Sequence, residues 1–75
     1  MAKHAIYKHY VLLNFDFKLS ADIRIINKKA SLMIWTKTNK IIFSHEFPSL
    51  EDALEIMYGF GHGFEYLGTH WEEVA

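Results

Sequence analysis

Pro48-Ser49-Leu50-Glu51-Asp52-Ala53-Leu54-Glu55-Ile56-Met57-Tyr58-Gly59 is the one stretch of the chain whose apolar residues recur with a helical period. Leu50, Ala53, Leu54, Met57 and Tyr58 fall at i, i+3, i+4, i+7 and i+8, and so share one stripe. Ser49 is placed to cap the free N–H groups, with Asp52 three residues on as a weaker capping-box partner than Glu. Glu51, Asp52 and Glu55 crowd the first turns, where the helix dipole favours negative charge. Gly59 suits the position just past a helix end. Gly61 and Gly63 keep the helix from resuming.

Everything upstream of this segment reads as strand. Residues 9–18 alternate: Val11, Leu13, Phe15 and Phe17 fall on one face, Leu12, Asn14, Asp16 and Lys18 on the other. That period of two, rich in aromatic and branched residues, marks a strand. Leu19-Ser20-Ala21-Asp22 reads as a turn, Ile23–Ile26 as a second strand, and Asn27-Lys28-Lys29 as a polar break. Residues 31–37 form a third strand that is apolar on both sides, with the pairs Met33/Trp35 and Leu32/Ile34 on opposite faces. Thr38-Asn39 follows as a turn, Asn being suited to positive φ. Residues 40–47 form a fourth strand. Connections this short make an antiparallel meander.

Downstream, Phe64-Glu65-Tyr66-Leu67 is a candidate fifth strand, and residues 68–75 read as a partly ordered tail. The expected fold is α+β: a small antiparallel meander sheet of four to five strands with one helix packed on one face. Residues 1–75 form one domain. The helix is expected to cover the face bearing Val11, Leu13, Phe15 and Phe17. Leu12, Ile26 and one of the two apolar pairs of the third strand would then lie on the other.

Composition turns this fold into an argument about association. Of the 75 residues 51% are hydrophobic and 16% aromatic. One short helix can bury one face of a sheet, not two, and an uncovered apolar patch of several hundred Å² usually marks an interface. A chain this short buries only about 60% of its unfolded surface, and with no cysteine it has no disulfide to reinforce it. Oligomerisation is the remaining reinforcement. A homo-oligomer, dimer or larger, is expected, joined through the second sheet face or through the edge of the first or the fourth strand.

Charge and hydropathy remove other classes. Eight basic and nine acidic residues give a net charge of −1. A nucleic-acid mimic would be far more acidic, and a general nucleic-acid binder basic overall. The first ten residues lack the apolar core of a signal peptide. No apolar run approaches the ~20 residues that span a bilayer. The absence of cysteine fits a reducing, cytoplasmic setting.

Three constellations invite chemistry. Gly59-Phe60-Gly61-His62-Gly63-Phe64 offers backbone N–H groups and rings to a phosphate or a base. Phosphate fingerprints, however, place their glycines before a helix, whereas these follow one and meet its carbonyl end. The simpler reading is a helix stop and a tight turn. Five histidines, at 4, 9, 45, 62 and 70, raise a metal site, but their spacing shows no known ligand motif. His45 alternates with Phe43 and Phe47 on an apolar strand face. No metal and no cofactor is expected. Ser44 and His45 are adjacent on a strand, so their side chains point to opposite faces and do not form a nucleophile–base pair. No catalytic residue is expected.

Lys28, Lys29, Lys37 and Lys40 near Trp35 resemble a small basic, aromatic nucleic-acid surface. They divide between two turns at opposite ends of the third strand, which fits solubilising lysines better. His70-Trp71-Glu72-Glu73 carries a Trp that either docks on its own core or anchors a partner. The leading expectation is a non-enzymatic binding protein that contacts a protein partner through Trp35, Phe60, His62, Phe64, Tyr66 and Trp71. Small cysteine-free chains of this kind are common among phage and mobile-element accessory proteins, many of which inhibit a host protein by covering its surface. That analogy is compositional. One alternative is an oligomer that sequesters a small anion or nucleotide at Gly59, Gly61, His62 and Gly63. Another is a weak nucleic-acid binder using the four turn lysines.

Overall fold

The structure is a computed structural model that describes residues 3–13 and 17–74. Five strands and one helix follow in the order β1 (Lys3–Leu13), β2 (Lys18–Ile26), β3 (Lys29–Thr36), β4 (Ile41–Phe47), α1 (Leu50–Phe60) and β5 (Glu65–Val74). The strands form one open antiparallel sheet in the order β4-β3-β2-β1-β5. The fold is the small α+β architecture expected, with the fifth strand present and longer than its sequence signal.

Four β residues set the helix-side face at its centre. Ala21, Ile23, Leu32 and Ile34 are all fully buried, and Ala30 beside them is buried too. They pack under Ala53 and Met57 of α1, which lies over β2, β3 and β4. The alanines on both sides let helix and sheet approach closely, and the larger side chains interdigitate around them. Leu19, Ile25, Phe43, Phe47, Leu50 and Leu54 ring this core. Tyr10 and Leu12 extend it onto β1, where Phe64 closes it from the far side of the loop after α1.

The helix starts as its sequence indicates. Ser49 is extended, its hydroxyl accepts from the Asp52 N–H at 3.3 Å, and it donates to the Asp52 carboxylate at 3.1 Å. The end differs: α1 runs through Gly59 and Phe60 and stops at Gly61, whose extended backbone ends the helix without a left-handed cap.

Four further readings need correction. β1 begins at Lys3, so residues 9–13 are only its second half; Asn14, Phe15 and Asp16 lie outside the described residues. Leu19-Ser20-Ala21-Asp22 is strand, because Ala21 is small to suit the helix above it rather than to suit a turn. The helix-covered face of β1 carries Tyr10 and Leu12, whereas Val11 and Leu13 point the other way, since Tyr10 pairs with Ala21 and Leu12 with Leu19. The tail is a paired strand: β5 docks on β1 from Val11↔Glu65 to Lys3↔Val74. β1 is therefore interior, and the two edges are β4 and β5.

The β2–β3 hairpin turns on Asn27 and Lys28, with φ of 51° and 69°. Two positive φ values in a two-residue loop suit Asn-Gly. Replacing Lys28 by Gly relieves about 1–2 kcal/mol of left-handed strain against about 0.5–1 kcal/mol of added chain entropy. A net gain of roughly 0.5 kcal/mol is expected, read as a higher urea midpoint with an unchanged slope.

Candidate functional site

The face opposite the helix is laid out in rows by the strand register. One row runs Ser44, Met33, Asp22, His9, Gly68 from β4 to β5. The next, on one side, is Ile41, Trp35, Ser20, Val11, Glu65; on the other side it is Glu46, Ser31, Arg24, Tyr7, His70. No element covers these rows among the described residues. The register settles which apolar pair of β3 faces outward: Leu32 and Ile34 are core, Met33 and Trp35 are on the open face. The face is less apolar than expected: Met33, Trp35, Ile41 and Val11 are the apolar members of these rows, and serines and ionisable side chains make up most of the rest. Tyr7, Asp22, Arg24, Met33, Trp35 and Ser44 line a shallow depression of about 430 Å³ at its centre.

The best-defined geometry lies toward β5. His9 Nδ1 is 2.6 Å from Asp22 Oδ1, and His9 Nε2 is 2.7 Å from His70 Nδ1. The two imidazoles are near-parallel, 11° apart. The His70 ring also stacks on Tyr7, with centroids 4.8 Å apart and planes at 5°. The Arg24 guanidinium lies over the Tyr7 ring, 5.9 Å from its centroid, a cation–π distance. Asp22 accepts the Nδ1–H of His9, which leaves His9 Nε2 as the atom that meets His70. Of the two facing ring nitrogens, one carries the proton and the other accepts it.

This grouping depends on a β-bulge. Tyr66 pairs with Tyr10, but Gly68 pairs with His9, so Leu67 is the extra residue of β5. The extra residue changes which face each later β5 side chain takes. It turns His70 to the open face beside Tyr7 and His9. Gly68 follows the bulge with φ of 142°, a backbone conformation that side-chain-bearing residues rarely adopt. The sequence pairs His4 with His9 and His62 with His70 by proximity along the chain. The fold instead joins His9 and His70, which are 61 positions apart. Among the described residues, no group of three or more His, Cys, Asp or Glu is placed to hold a metal.

The other singled-out residues scatter. Trp35 is half-buried on the open face. Phe60, at the end of α1, sits edge-on to Phe43. Tyr66 and Trp71 are on the helix side of β5, beyond the reach of α1, with Trp71 66% exposed. Tyr66 lies against Tyr10, and Trp71 sits edge-on to His4. His62 is exposed in the turn. Phe64 requires correction as a contact residue: it is 6% exposed and belongs to the core. Six contacts proposed together therefore divide between two faces.

The Gly-rich loop has a packing reason. A Cβ on Gly61 would lie 2.4 Å from Leu12 Cδ2, and one on Gly63 3.0 Å from Leu12 Cδ1. These two glycines let the chain cross closely over Leu12 and deliver Phe64 to the core. Lys28 lies in the β2–β3 turn and Lys29 opens β3, whereas Lys37 and Lys40 lie in the β3–β4 connection, so the two pairs of lysines stand at opposite ends of β3. Lys29 is 4.0 Å from Glu46 in an exposed pair. Ser44 faces the open side opposite Met33, and His45 the helix side opposite Leu32. On the helix side, burial raises the Tyr10 hydroxyl pKa above its ordinary value, and the nearby Tyr58 and Tyr66 hydroxyls add to the effect.

Comparison with protein-family models, with curated proteins and with solved structures finds no match. Among the described residues no helix is long and apolar enough to cross a membrane.

Proposed function

We propose that this chain is a non-enzymatic interaction module that captures a protein partner on its open sheet face. The observation that carries this reading is the group Trp35, Met33, Tyr7 and Arg24 around the central depression of an otherwise uncovered sheet. Trp, Tyr, Met and Arg are the residue types enriched at the centres of protein interfaces. Ser20, Ser31, Ser44 and Glu46 form a polar surround. In keeping with the compositional analogy, the module acts in the cytoplasm as an inhibitor that occludes its partner's surface, and copies of the chain associate through the same face.

The test compares Trp35→Ala with Trp71→Ala as bait in partner capture, with sedimentation velocity of each variant alongside. Loss of capture and of self-association in Trp35→Ala alone supports the open face. Loss in Trp71→Ala alone moves the interface to the uncovered helix-side end of β5 and rejects the reading.

A further inference from the structure

We infer that His9 and His70 form a binding site for a divalent transition-metal ion of the imidazole-preferring class, with zinc as its probe. Three features of the open face converge on this. Two imidazole nitrogens, His9 Nε2 and His70 Nδ1, already face each other at 2.7 Å. Asp22 holds the other nitrogen of His9 at 2.6 Å. That is the carboxylate–histidine arrangement which fixes the tautomer of a ligating imidazole and raises its basicity. Tyr7 holds the His70 ring by stacking. Both rings reach solvent: the His9 side chain is one-third exposed, at 32%, and His70 lies on the edge strand.

The geometry needs little change. Two nitrogens bound at about 2.0–2.1 Å to a tetrahedral ion stand roughly 3.3 Å apart. A metal therefore replaces the bridging proton once the nitrogens separate by about half an ångström and the lone pairs turn to converge on one ion at the tetrahedral angle, a change that falls mainly on the exposed His70 of edge strand β5. Protons balance within the pair. In the neutral pair His9 keeps its Nδ1–H on Asp22, and the proton on His70 Nδ1 moves through solvent to His70 Nε2. Both facing lone pairs are then free for the metal, and no net proton is released. Two protein ligands leave two tetrahedral positions to water, one protein ligand fewer than in an open catalytic zinc site, so the ion is held as an exchangeable one rather than as a structural one.

Isothermal titration of the apo chain with zinc chloride tests the site, with circular dichroism confirming that each variant is folded. The wild type is expected to take up one zinc per chain. His70→Ala is expected to lose the titratable heat, and Asp22→Asn, which keeps a hydrogen-bond acceptor beside His9, to bind about tenfold more weakly. In long-range 1H–15N spectra zinc should move His9 Nε2 and His70 Nδ1 and leave His4, His45 and His62 in place. Zinc heat that survives in a folded His70→Ala variant, shifts centred on the other three histidines, or no heat from the wild type would each overturn the assignment. The open-face capture test does not depend on this site.

Discussion

Leu32→Ala lowers the unfolding free energy by roughly 2–5 kcal/mol. Leu32 is fully buried at the middle of β3. Its strand neighbours on that face are Ile23 on β2 and His45 on β4, and α1 lies above it. A cavity here has backbone ladders on two sides and a helix on the third, so the surroundings cannot collapse into it. Domains of this size stand toward the low end of the 5–15 kcal/mol range of ordinary stabilities, so the variant should be substantially unfolded at room temperature. Met33→Ala, one residue on and on the open face, removes a side chain of about the same size in a less buried place and should cost far less. Urea titration followed by far-UV circular dichroism separates the two. Equal losses would mean that the two faces of β3 are assigned the wrong way round.

Gly61→Ala is the second large effect, a loss of about 1–3 kcal/mol from overpacking. The new Cβ falls 2.4 Å from Leu12 Cδ2, and the escape route for Leu12 is narrow because its side chain is already packed in the core, 8% exposed. Gly59→Ala is the internal control. Nothing lies within 4 Å of a Cβ there, and in a helix the change should stabilise by about 0.5–1 kcal/mol. If the clash with Leu12 is the cause, Gly61→Ala costs less in a Leu12→Ala background, with a coupling of roughly 0.5–3 kcal/mol. Additive losses would place the cost in the backbone instead.

Local periodicity carried most of the architecture. The stripe from Leu50 to Tyr58, the Ser49 cap, the hairpin at Asn27-Lys28 and the alternation of β3 each follow from short-range rules that the fold obeys. Alternation divides a strand into two sets of residues but does not say which set meets the helix. In β1 both sets are apolar, Tyr10 and Leu12 against Val11 and Leu13, so the face had to come from pairing with β2. The first half of β1 was hidden because Lys3, His4, Lys8 and His9 dilute its pattern. β5 was hidden because the bulge at Leu67 breaks its period and Gly68 looks like punctuation. The glycines after α1 were legible as a helix stop, but their closeness to Leu12 was not. The Asp22–His9–His70 grouping was out of reach altogether, since it joins three strands and depends on that same bulge. A strand signal running through residues 65–74 with one residue out of step was the only trace available.

The pairing of β1 with β5 also governs the order in which the sheet can be completed. β2 through α1 follow β1 by short connections, and each can add to a neighbour already in place. β5 must instead return across the sheet to β1, bringing Val74 back to Lys3. Such long-range pairing comes late, because its closure entropy must be met before its contacts form. Until it does, β1 is an unpaired edge on a nearly finished sheet. A second chain at the same stage offers an identical β5, so exchange of that strand between copies competes with closure within one. By mass action, dilution favours closure of the sheet within one chain over exchange of β5 between chains.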